Sequence, residues 1–160
     1  MTGEHEFDPL ARRACTTHNA AAMPLEIFLD ADEHLRIAVG RGKLTDRELL
    51  EAWGDALADP SYDSGADNLV DMSAVEEFAV TPSGVQRLAD VMDLCQPLPK
   101  PGVRPRVACV APNDRAYDVL RMYEMYRELQ GSRAHYFVCR SVEEARCWLG
   151  LPKIERPVVD

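Results

Sequence analysis

Asn68-Leu69-Val70-Asp71-Met72-Ser73-Ala74-Val75, running on through Glu76 to Val80 and into Thr81-Pro82-Ser83-Gly84-Val85, is the stretch on which the fold of this chain turns. The stretch reads as a short buried strand around Leu69 and Val70, a polar turn, and a second turn in which Thr81-Pro82 is the cap and first position of a helix. Ser83 then falls in the first helical turn. Backbone N–H groups lack partners there and the helix dipole is positive. A serine so placed is a candidate phosphoacceptor, a ligand contact or part of the cap, and the residues alone leave all three open.

Downstream, Val85, Leu88, Ala89, Met92 and Cys95 share one helical face. Four prolines follow (Pro97, Pro99, Pro101, Pro105), which require an extended, stiff connection or an exposed polyproline ligand. Arg106 to Ala111 is almost continuously apolar, the mark of a strand covered on both faces. Asn113 or Asp114 starts a third helix rich in Tyr117, Leu120, Met122, Tyr123, Met125, Tyr126 and Leu129, and Gly131 stops it. Tyr136 to Cys139 reads as a strand. Ser141 with Glu144 forms a capping box for a last helix bearing Val142, Ala145, Trp148 and Leu149.

Upstream, Thr45 with Glu48 makes another capping box, and Leu49, Leu50, Trp53, Ala56 and Leu57 line one face until Asp59-Pro60 ends the helix. Leu25 to Asp30 and His34 to Val39 flank a short polar joint and predict an antiparallel hairpin. In the second of these runs Leu35, Ile37 and Val39 alternate with His34, Arg36 and Ala38, the period of a strand with one wet face. Strands alternating with helices imply right-handed crossovers and parallel pairing. The expected fold is α/β: a mixed, mostly parallel sheet of about five strands with an N-terminal antiparallel hairpin and about four helices. Residues 1–23 read as a flexible extension, in which Pro9 to Cys15 is a candidate short helix, 24–150 as one domain, and 151–160 as a tail.

The chain has 160 residues, 46% of them hydrophobic, which suffices for a single core. A net charge of -9 disfavours nucleic acid and anionic membranes as partners. Five cysteines (Cys15, Cys95, Cys109, Cys139, Cys147) show no metal-binding spacing and read as reduced thiols. His5, His18, His34 and His135 are scattered, so no metal or other cofactor is expected. No run of about 18 apolar residues spans a membrane, and the acidic start is no signal peptide, so the expected location is cytoplasmic.

Asp71-Met72-Ser73-Ala74-Val75 after the central strand, with Thr81-Pro82-Ser83-Gly84-Val85 opening the next helix, resembles the STAS and SpoIIAA-like superfamily over roughly residues 25–150. There, an Asp-Leu-Ser-Gly-Val-like turn ends a strand, and an Asp-Ser-Ser-Gly-Leu-like segment carries a regulatory phosphoserine. By position Ser83 matches a serine of that segment, Gly84 its glycine and Val85 the next residue, while Thr81-Pro82 stands where the family has Asp-Ser. Arg121-Met122-Tyr123 after Tyr117, and Glu144-Ala145 before Trp148-Leu149, look more like the uncharacterised SpoIIAA-like branch.

The resemblance implies a non-enzymatic regulatory module that acts through a protein partner and is switched at Ser83. Asp71, Ser73, Thr81 and Gly84 are its candidate binding residues. The alternative is a module binding a small anionic ligand or lipid, with Asn113, Asp114 and Arg121 at the strand ends as polar contacts. A homodimer on the apolar surplus of Met122, Met125 and Tyr126 is a further option. No glycine-rich phosphate loop or nucleophile elbow is present, so no catalytic residue is assigned.

Overall fold

The computed structural model describes residues 23–153. The candidate helix from Pro9 to Cys15 lies outside them. The elements run β1 (Leu25–Asp30), β2 (Leu35–Thr45), α1 (Asp46–Ala58), β3 (Asp67–Ala79), α2 (Pro82–Cys95), β4 (Arg106–Val110), α3 (Asp114–Leu129), β5 (His135–Cys139) and α4 (Val142–Trp148). The strands form one sheet in the order β1-β2-β3-β4-β5. β1 and β2 pair antiparallel and every other pair is parallel, which is the mixed α/β sheet expected.

Each crossover steps to the next strand in the same direction, so right-handedness places α1, α2 and α3 on one face. The larger core fills the space under them, with Leu49, Trp53, Val70, Met72, Leu88, Val107 and Leu120 among its members. α4 lies on the other face. Its Ala145, with Leu149 just beyond, packs with Leu35, Leu69, Ala108, Val110 and Cys139, and Trp148 stacks on Phe137 at 5.1 Å. β4 is therefore covered on both sides, as its unbroken apolar run predicts.

The caps are local and the sequence specifies them. Thr45 accepts from the Glu48 N–H while the Glu48 carboxylate accepts from the Thr45 N–H. Thr81 caps α2 with Pro82 at the first position. Asn113 caps α3 by accepting from the Ala116 N–H at 2.9 Å. Gly131, at φ 76°, follows its end as the left-handed residue a helix stop favours. At α4, Ser141 accepts from the Glu144 N–H, but Glu144 returns its bond to Arg140 rather than to Ser141.

Two expectations are corrected. The strand around Leu69 and Val70 is not short and no turn follows it before Ala79: β3 continues through Asp71–Val75 and Glu76 to Ala79, beside a β2 that continues to Thr45. The ladder absorbs the polar residues as an irregularity, its register shifting between Val39 and Arg41. Asp71 accepts from both the N–H and the hydroxyl of Ser73 across it. The supposed wet face of β2 is dry at two of its three positions: Arg36 is 4% exposed and Ala38 1%, because Tyr62 lies against Arg36 and Ala38 joins the core under the helices, while His34, just before β2, stays exposed.

Candidate functional site

The sequence-predicted residues fall into separate clusters. Thr81 donates its N–H to the Asp46 carboxylate at 2.8 Å and its hydroxyl at 2.6 Å. Its own oxygen accepts from the Gly84 N–H. Gly84 is buried against this group, and a Cβ there would collide with the Asp46 carboxylate. Ser83 is exposed, and its hydroxyl has no hydrogen bond among the described residues. Asp71 and Ser73 bond each other. Asp114 pairs with Arg140 at 2.6 Å, and the Arg140 guanidinium lies 4.5 Å from the centre of the Tyr117 ring. Asn113 is committed to its cap, and Arg121 pairs with Glu124 at 2.6 Å. Among the described residues no side-chain hydrogen bond or ion pair joins one cluster to another.

A different set converges at the amino ends of the parallel strands. Between the sheet and α1–α3 lies an inner hollow of about 60 Å³, walled by apolar side chains such as Trp53, Val70, Leu88, Val107 and Leu120. Its polar lining residues are Tyr62, Asn68, Gln96, Tyr123 and Tyr136. An outer hollow of about 160 Å³ lies under the proline-rich connection and shares Met92, Gln96, Pro105 and Ala134 with the inner one.

A chain of hydrogen bonds links these polar groups. Arg36 donates to Asn68 at 2.9 Å and to the Asp63 carbonyl, and its guanidinium sits 3.8 Å from the centre of the Tyr62 ring. Gln96 donates to the Tyr62 hydroxyl at 3.1 Å and accepts from Arg127 Nη2 at 3.5 Å. Arg127 Nε donates to the Tyr136 hydroxyl at 3.2 Å, and that hydroxyl meets Ser132. The Tyr123 ring closes the set, edge-on to Tyr136 at 5.9 Å.

Removal from water dominates the electrostatics here. Burial pushes the phenols of Tyr62 and Tyr123 up, the second well above the ordinary tyrosine range. It pulls the Arg36 guanidinium down, against Tyr62 and Asp63. For Arg127, burial is outweighed by Tyr136 and Tyr123, and the net shift is upward. Burial carries the Cys109 thiol, also on the inner wall, up to about 12, so it is an apolar wall group and not a nucleophile.

These are residues that the sequence reading passes over, although one signal marks two of them. Arg127 sits at helical spacing from Ala116, Leu120 and Tyr123, on the buried stripe of α3, and Arg36 lies inside a strand core. A charge on an apolar face must find internal partners or a ligand. Tyr62 and Gln96 carry no such mark, since they come from connections whose path the topology decides. Among the described residues no group of three His, Cys, Asp or Glu gathers as metal ligands, and no helix is long and apolar enough to cross a membrane.

The chain matches no protein-family model and no curated protein. Among solved structures it is similar to an uncharacterized protein of the DUF3478 family, with a SpoIIAA-like fold, from Shewanella loihica. The identity is 16% and the TM-score 0.45, over 78% of this chain and 91% of that one.

Proposed function

We propose that this protein is a small-ligand-binding module that holds an apolar molecule between its sheet and its three covering helices. The observation that carries this reading is the inner hollow itself: apolar walls with a few convergent polar groups at one end. That is the make-up of a ligand site. At about 60 Å³ it is smaller than an engineered cavity of roughly 150 Å³ that accepts benzene. The occupant's buried part is therefore a short alkyl group, or Met92 moves aside to join the two hollows, as an unbranched flexible side chain can.

Titration with 1-hexanol, followed by tryptophan fluorescence through Trp53 on the cavity wall, tests it. Saturable quenching or enhancement is expected. Val107→Leu, which fills part of the hollow, should weaken the response, and Leu120→Ala should strengthen it for longer alcohols. No response from the wild type up to its solubility limit contradicts the reading.

A second reading rests on the exposed, unbonded hydroxyl of Ser83 at the start of α2: a partner-binding module switched by phosphorylation there. A phosphate at this position meets the N–H of Ser83 and the positive helix end, since Pro82 has no N–H and those of Gly84 and Val85 go to Thr81, but also the nearby Asp46 carboxylate. Ser83→Asp and Ser83→Ala proteins that retain partners equally in a pull-down would rule it out.

A further inference from the structure

Arg127 is 5% exposed, and among the described residues no carboxylate lies within ion-pair distance of it. Its partners are neutral: the Tyr136 hydroxyl, the Ala89 carbonyl, the Gln130 amide at 2.9 Å, and the Gln96 amide and Ser132 hydroxyl at 3.5 Å. An arginine stays protonated in a protein, and a buried charge that no carboxylate contacts, with Asp93 acting on it only from beyond ion-pair distance, is costly. The two longest of these contacts both belong to Nη2, at the outer limit of a hydrogen bond. Nη2 is thus the least committed donor of the group.

Arg127 lines the outer hollow, and the outer hollow shares four wall residues with the apolar inner one. From these observations, and resting on the ligand-binding reading above, we infer that the ligand is an amphipathic monocarboxylic acid. Its carboxylate pairs with Arg127 in the outer hollow, and its hydrocarbon end passes between Met92 and Gln96 into the inner hollow. The charge of the anion follows from the lining. Arg127 and Arg133 contribute two positive charges and Asp93 one negative, which leaves one positive charge to balance and disfavours a dianion. A guanidinium also matches a planar carboxylate through paired N–H donors.

Calorimetric titration of the full chain at neutral pH with hexanoate, 1-hexanol and inorganic phosphate separates the possibilities. Hexanoate is expected to bind about 10-fold more tightly than 1-hexanol, the discrimination a charged hydrogen-bonded pair provides. Phosphate is expected to be weaker than either. Arg127→Met should bring hexanoate and 1-hexanol to within about twofold of each other, and Arg127→Lys should restore part of the difference. Equal binding of hexanoate and 1-hexanol by the wild type overturns the acid assignment and leaves the apolar hollow standing. Phosphate binding as tightly as hexanoate overturns it as well, because the hydrocarbon then contributes nothing. Binding of none of the three removes both readings. The wild-type comparison decides even where Arg127→Met fails to fold.

Discussion

At the scale of single residues, Gly84 shows how a helix start is built from distant parts. The Asp46 carboxylate takes two hydrogen bonds from Thr81, and the absent side chain at Gly84 leaves it room. Gly84→Ala should displace Asp46 from Thr81 and cost about 1–3 kcal/mol, the price of leaving buried polar groups unmade. In an Asp46→Ala background the same change should cost far less. Urea denaturation of the double-mutant cycle reads this coupling, and additive losses would count against it. The Thr81 cap is legible in sequence because all its parts lie within three residues. Asp46 is not, because it arrives from 35 residues upstream.

Elements carry the next layer, and α3 is the most informative of them. Its buried stripe includes Ala116, Leu120 and Arg127, with Glu124 beside it. Glu124 is 8% exposed. Burial raises its pKa above the ordinary 4.5, with Arg121 opposing. The folded protein then holds this proton at pH values where the unfolded chain has released it. Stability from Glu124 is therefore fully present below 4.5 and is lost as pH rises through the higher folded value. Urea midpoints of Glu124→Gln should lack that decline, and a parallel decline in the variant would refute the assignment. The third helix and its cap are evident from spacing. The inward direction of Glu124 and Arg127 is not, because a helical wheel places residues on a face without saying what the neighbouring elements cover.

At the scale of the whole molecule, the order of strands and helices, the hairpin, the helix caps and the doubly covered β4 all follow from patterns within a few residues, which is why the fold was legible. The extent of β2 and β3 was not. The polar Asp71–Ser73 step looks like a turn until the partner strand shifts its register to accommodate it. The site was hidden for a related reason. Arg36, Tyr62, Gln96, Arg127 and Tyr136 come from β2, two connections, α3 and β5, and only the closed sheet with its helices gathers them at the amino ends of the strands. The motif residues Asp71, Ser73, Asn113 and Asp114 sit further along the strands or beyond their other ends.

An amide and methyl NMR titration of the full chain with 1-hexanol tests the location of binding most directly. The account predicts saturable shifts confined to the walls of the two hollows, at Val70, Met92, Val107 and Ala134, with Ser83 and Asn113 unmoved. Shifts centred on Ser83 and Asn113, or none at all, would contradict it.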